Sequence, residues 1–398
     1  MEVMTSRERM MIAMRNGQPD RIPVAPDISN MIPCRLVGKP FWEVYENNKP
    51  PLWKAYLEAV KFFNMDGWFI YGEMNFKKQS PITITRKILE LDDEKCKVEE
   101  VFHTPDGDLR QITVNPKGNP PTHIEKMIKD FEGDFKKFKH FYSRVTGCDS
   151  TLFQHQKKEL GEQGIMCVCI MPPGLQNYVD FFQGSLEAVT YAYYDYPELF
   201  KELQEMHEKQ CIDMLEIAID NGVDCILTGG SGSITLQSPD IWRELSLPGI
   251  KKITRLCKEA GVISGIHSCG KEEYIVKVCA EETDLDYINP LEIAPMGDCD
   301  LGVCKERYGN KLALMGNLHT TNVMLYGSTE LVKLESLKAI KSAGVNGGFV
   351  LSTGDQCGRD TPFENIFTMV DTAKEYGQYP LDLDKITQEI KRLENKME

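Results

Sequence analysis

Short apolar runs that end in small or polar residues recur along the 398-residue chain, separated by stretches with apolar residues at helical spacing. Strands of a parallel sheet are buried on both faces, so they read as continuous apolar runs joined by helical crossovers. Eight candidate strands follow: Ile22–Ala25, Trp68–Tyr71, Ile165–Ile170, Cys225–Thr228, Val262–Ile266, Tyr287–Asn289, Leu312–Met315 and Phe349–Ser352. Helices are predicted over Leu52–Phe63, Ser185–Asp195, Pro197–Asn221, Pro239–Ala260, Ser328–Ala343 and Thr361–Tyr376. Ser238-Pro239 and Thr361-Pro-Phe-Glu364 supply helix-entry signals, the latter with capping-box spacing. The alternation predicts an α/β fold, a (β/α)8 TIM barrel, with an open doubly wound sheet as the alternative.

One stretch breaks the pattern. Between the second and third strands, Ile82–Ile88, Cys96–Phe102 and Leu109–Val114 alternate apolar and polar with a period of two. Pro105-Asp-Gly107 is a turn signal between the last two. The reading is an antiparallel β insertion over residues 80–120, inside a single domain spanning 1–398. A lysine-rich helix is predicted over Ile124–Tyr142 and a solvated final helix over Leu383–Glu398.

The net charge of −14 comes without a basic, aromatic-interleaved stripe, which argues against nucleic acid as a partner and disfavours polyanionic substrates. No apolar run reaches membrane-spanning length, and the start Met1–Arg9 has no apolar signal region, so a cytoplasmic protein off the membrane is expected. Thirteen scattered cysteines read mostly as small buried apolar residues or ligands, not disulfides.

In a barrel of this kind, chemistry sits at the carboxyl ends of the strands. The polar and special residues fall there: Asp27 and Asn30, Glu73, Met171-Pro-Pro-Gly174, Gly229-Gly-Ser-Gly-Ser233, His267 and Cys269, Asn289 and Glu292, Asn317 and His319, then Asp355 and Cys357. His267-x-Cys269 alone is a weak signal and reads more readily as a strand-end histidine bonded to backbone beside a buried cysteine. With Cys357 on the same rim, the three form a soft-to-borderline ligand set with one open position, the pattern of a catalytic zinc. Glu73, Asp27 and Glu292 are candidate bases or fourth ligands, and His319 is a candidate acid/base group. Gly229-Gly230 lacks the Gly-Lys-Ser/Thr ending of a phosphate cradle. Its small residues leave room above the barrel, so Gly229, Gly230 and Asn317 are the candidates for cofactor contact.

Three motifs go further: Ser6-Arg-Glu-Arg-Met10 with Gly17-Gln-Pro-Asp-Arg-Ile-Pro-Val24, then Gly265-Ile-His-Ser-Cys-Gly270, then Gly354-Asp-Gln-Cys-Gly-Arg-Asp-Thr-Pro-Phe-Glu-Asn-Ile366. With these the chain resembles the uroporphyrinogen decarboxylase superfamily, and within it the zinc-dependent corrinoid methyltransferases. The resemblance implies a (β/α)8 barrel, a zinc cofactor, and methyl exchange with cobalamin carried by a partner corrinoid protein. The decarboxylase branch carries an arginine-bearing loop after the first strand. Here that region reads Pro23-Val-Ala-Pro-Asp-Ile-Ser-Asn30, which argues against porphyrinogen decarboxylation. Gly229-Gly230 stands where the methyltransferases usually offer an acid, so the fourth ligand stays open. The expected reaction is demethylation of a small methylated substrate, a methoxyarene. Methyl-corrinoid:thiol transfer, decarboxylation and a non-catalytic corrinoid-binding subunit remain as alternatives, and a homodimer is allowed.

Overall fold

Seven of the eight expected strands pair in one all-parallel sheet in the computed structural model, which describes residues 4–80 and 82–397. Met1, Glu2 and Val3, Pro81 of the expected insertion and Glu398 of the expected final helix lie outside the described residues. The sheet order is Gly67–Phe69, Gly164–Cys169, Cys225–Gly229, Ile263–His267, Tyr287–Asn289, Ala313–Leu318, Phe349–Thr353. Alternate side chains face opposite ways. Trp68, Ile165, Cys167, Leu227, Tyr287, Met315 and Val350 form one buried cluster. Phe69, Met166, Val168, Ile226, Ile266, Ile288, Leu314 and Leu351 join the larger cluster shared with the helices. Helix Ser6–Met14 contributes Met10, Ala13 and Met14 to the first cluster.

The first expected strand, Ile22–Ala25, is reduced to a single parallel bridge between Val24 and Leu351. Pro23 and Pro26 have no N–H to donate, so a regular ladder cannot form there. The segment still lies between the two edge strands. Ala25 N donates to Leu351 O (2.9 Å) and Leu351 N to Pro23 O (2.9 Å), while Asp66 N donates to Val24 O on the other side (2.9 Å). The sheet is therefore curled, TIM-like, with its edges bridged by this proline-interrupted segment.

Between Gly67–Phe69 and Gly164–Cys169 stands a four-stranded antiparallel sheet of Thr83–Leu91, Lys95–Thr104, Gly107–Pro116 and Thr122–Glu125. Gly107, at φ +119°, opens the third of these strands just past the Pro105-Asp106 turn. The helix expected over Ile124–Tyr142 is corrected. Residues Thr122–Glu125 are the fourth strand, and only Phe131–Phe138 is α-helical. That helix starts where the Asp130 carboxylate accepts from Gly133 N, and it buries Phe131, Phe135 and Phe138. An antiparallel pair, Asn75–Lys78 with Val145–Asp149, has no counterpart in the sequence reading, because Asn75–Lys78 is polar and mostly exposed. The helix expected over Pro239–Ala260 is two, Pro239–Leu245 and Leu247–Ala260. Pro248 cannot donate into a continuous ladder, and Ser246 Oγ turns to Pro173 O (2.7 Å). Thr361 does not cap the helix Phe363–Tyr376; Pro362 precedes it with no side-chain cap. Among the described residues, no helix is long and apolar enough to cross a membrane.

Candidate metal centre

His267 ends its strand in register with Gly229 on one side and Asn289 on the other. Cys269 follows two residues on, and Asp355 lies two residues past Phe349–Thr353. Ligating atoms of His267, Cys269 and Asp355 all lie within 4.8 Å of one another. His267 Nε2 is 3.8 Å from Asp355 Oδ1, and the two side chains keep 16% and 36% of their surface exposed, so the cluster is open to an incoming molecule.

Main-chain contacts hold the His-Ser-Cys segment. Gly230 N donates to His267 O (2.9 Å), Gly232 N to Cys269 O (3.1 Å) and Ser268 N to Asn289 O (2.9 Å). Gly229 and Gly230 sit at φ +97° and +128°. A Cβ on Gly229 would stand 2.7 Å from His267 O, and one on Gly230 would press into the Asn177 amide. Glycine is required for this close approach. The observed contacts of Gly229 and Gly230, expected as cofactor contacts, are thus with the backbone around His267.

Two carboxylates, Asp27 and Glu292, flank the cluster, and a third, Asp355, belongs to it. Asp27 is buried; its Oδ1 accepts from Ser29 N (2.9 Å) and its N–H donates to Thr353 Oγ1 (3.0 Å). Burial, then the charge of Asp355, drives its pKa up. Glu292 is buried and accepts from Gly270 N, and burial raises it as well. The third, Asp355, holds a non-glycine φ of +107°, a strained backbone that its surroundings impose. Burial, then Asp355, pushes the Cys269 thiol up to about 12.

Cys357 sits on the same rim but is not one of the three converging residues. Its N–H donates to Asp27 O (2.8 Å), and its fully buried thiol is pushed up by burial and then by Asp27. His319 caps the turn Thr320–Leu325. Its Nδ1 accepts from Thr321 N and Asn322 N (both 3.1 Å), so the ring proton belongs on Nε2, which is buried without a partner. Asn317 donates to Leu291 O (2.9 Å) and shares with His319 and Glu292 a cleft beside the cluster. Glu73 stands apart and exposed, at a cavity by the ends of Gly67–Phe69 and Gly164–Cys169.

The donor set fits a divalent cation. The principal charges acting on Asp27, Glu292, Cys269 and Cys357 are acids, with His267 the one base among them, so a cation would relieve the repulsion. Asn289 supplies a second indication. Its Nδ2 is 3.2 Å from His267 Nδ1, while its Oδ1 is buried with no partner. A half-turn of this amide places Oδ1 to accept the Nδ1–H, leaving the Nε2 lone pair free toward Cys269 and Asp355. Metal-binding imidazoles are held this way. His267 and Cys269 were legible from spacing. Asp355 was placed on the rim but not as a ligand, and its only signal is Gly354-Asp355 just past a strand.

A curled parallel sheet with thiol, imidazole and carboxylate groups gathered at the strand carboxyl ends defines a TIM-like enzyme scaffold. Residues 181–376 match the uroporphyrinogen decarboxylase (URO-D) family model. The chain thus carries a URO-D family domain over these residues. It is 27% identical over 285 residues to the methylcobamide:CoM methyltransferase MtbA of Methanosarcina mazei, covering 68% of this chain and 74% of that one. A uroporphyrinogen decarboxylase of Trichodesmium erythraeum is 36% identical over 76 residues, 19% of this chain and 21% of its own. A solved methyltransferase from Methanosarcina mazei shares the fold with a TM-score of 0.63 at 16% identity, over 94% of this chain and 99% of that one.

Proposed function

We propose that this protein is a zinc-dependent methyltransferase that moves a methyl group between a small substrate and the cobalamin of a partner corrinoid protein, with an aryl methyl ether as the donor. The convergence of His267, Cys269 and Asp355 at an open rim carries the reading. The likeness to a methylcobamide methyltransferase supports the cobalamin partner. His267 and Cys269 would hold the zinc with Cys357 as the third ligand, leaving the fourth position, beside Asp355, open to substrate. Zinc bound there supplies a Lewis acid for an oxygen that must leave as phenoxide.

The chain's own groups complete the task. Asn289 orients the imidazole, and the glycine loop fixes the carbonyls of His267 and Cys269. His319 holds a proton at Nε2 because its Nδ1 is already engaged by two backbone donors, so it serves as a fixed donor near the departing oxygen. Asp27 and Glu292 hold acceptor oxygens beside the cluster.

A second reading reverses the direction: the relative's name is that of an enzyme that acts with the thiol CoM, and thiolate ligands temper a metal's Lewis acidity. Incubation with cob(I)alamin and a panel of methoxyarenes, followed by the methyl-cobalt absorbance, separates the two. Methylation supports the donor reading. Its absence, with methylcobalamin demethylated by thiols, assigns the thiol reading. Metal analysis should find one zinc per chain, lost in Cys357→Ala; full retention in that variant removes Cys357 from the ligand set.

A further inference from the structure

A cavity of about 700 Å3 opens at the ends of strands Gly67–Phe69 and Gly164–Cys169, sharing no lining residue with the His-Cys-Asp cluster. Its size falls within the ~300–1,000 Å3 of small-molecule pockets. Trp53, Tyr71, Phe76 and Met74 form apolar walls, and Glu73 stands at the edge. Gln156, from helix Thr151–Leu160, also lines it and is completely buried. Its Oε1 accepts from Glu73 N (3.0 Å), but its Nε2 has no partner. The buried Tyr71 hydroxyl has none either. Leaving a buried amide donor unmet is costly, and a native fold rarely does so without a ligand or water to meet it.

The chemistry of the vacant groups selects the ligand. An amide N–H is a donor only, so it suits an oxygen acceptor and does nothing for a cation. A wall of tryptophan, tyrosine and phenylalanine suits a flat ring. We propose that this cavity binds the ring of a small neutral phenolic ether, with Gln156 Nε2–H donating to a ligand oxygen and Glu73 accepting a phenolic O–H. Tyr71 lines this cavity, and Asp27 of the metal rim is among the charges acting on its hydroxyl. The choice of an ether rests on the methyl-donor reading; the aromatic ring and the acceptor oxygen rest on the cavity alone.

Titration calorimetry of the full-length protein with 2-methoxyphenol tests the inference, with methoxycyclohexane, toluene and tetramethylammonium as comparators. Saturable one-to-one binding is expected, with every comparator weaker. Gln156→Leu should weaken it about three- to tenfold, the value of one neutral hydrogen bond. Trp53→Ala, at a half-buried position, should weaken it at least as much, with the urea midpoint measured alongside to confirm that the variant is folded. No saturable binding, binding unchanged in both variants, or preference for tetramethylammonium overturns the proposal. Cob(I)alamin methylation is measured separately. Cavity-dependent binding with no methyl transfer from any donor removes the methyl-donor reading and leaves the cavity assigned. Methyl transfer from 2-methoxyphenol with an unchanged KM in both variants removes the cavity and leaves the methyl-donor reading.

Discussion

Asp66→Ala should be among the most destabilising single substitutions in this chain. Asp66 is fully buried and accepts from Arg9 Nη1 (2.8 Å), Arg21 Nη1 (2.9 Å), Arg21 Nη2 (3.1 Å) and Val24 N (2.9 Å). Without it, Arg9 still has Asp20, at 2.7 and 2.9 Å. Arg21 keeps only the Ile22 carbonyl (2.9 Å), and its side chain is 10% exposed. An orphaned buried cation of this kind costs about 3–5 kcal/mol, against ~0–1 for a surface pair. The loss falls on the proline-interrupted segment that bridges the sheet edges, because Asp66 N also holds Val24 O. Urea unfolding followed by circular dichroism measures the shift. The double variant Asp66→Leu/Arg21→Met removes the orphan along with its partner and should recover at least half of it. A shift within about 1 kcal/mol of wild type for Asp66→Ala, the surface-pair range, would refute the reasoning.

Asn289→Leu removes the group that orients the His267 imidazole and should weaken zinc affinity about 10- to 100-fold, read by chelator competition; unchanged affinity would show that the amide plays no part. Gly230→Ala forces a side chain onto φ +128° and into Asn177, which is anchored to Pro172 O (2.8 Å) and Gly229 O (3.0 Å). It should cost about 1–3 kcal/mol in a urea melt and lower zinc retention together, because the displaced backbone is the one that holds His267. His207 is buried with its Nδ1 2.9 Å from the Tyr178 hydroxyl, and burial drives its pKa down to about 3. The unfolded chain takes up the proton first, near pH ~6.5. This contribution to stability is therefore complete above that pH and is lost as pH falls toward 3, at up to about 1.4 kcal/mol per pH unit. His207→Gln should flatten the dependence between pH 7 and 5, and parallel urea midpoints for both proteins over that range would contradict it.

Most of the parallel strands could be read along the chain because each is buried on both faces, and burial writes itself as a local apolar run. The antiparallel insertion was legible for the same kind of reason, through its period of two and the Pro105-Asp-Gly107 turn. Helix entries at Ser238 and Ser328 were local too, since a cap needs only its own first turn. Local pattern misled where a neighbour outside the window decided. Thr122–Glu125 became a strand because Gly107–Pro116 offered it an edge. Ile22–Ala25 lost its ladder to two prolines yet kept its place through Asp66 and Leu351. At the site, spacing marked His267 and Cys269, whose separation is a property of one strand end. The approach of Asp355, the orientation by Asn289, the clamp from Gly229–Gly232 and the convergence of Arg9 and Arg21 on Asp66 arise only when the sheet curls and brings distant strand ends onto one rim. Spacing along a chain records its immediate neighbours, and closure of the sheet chooses the rest.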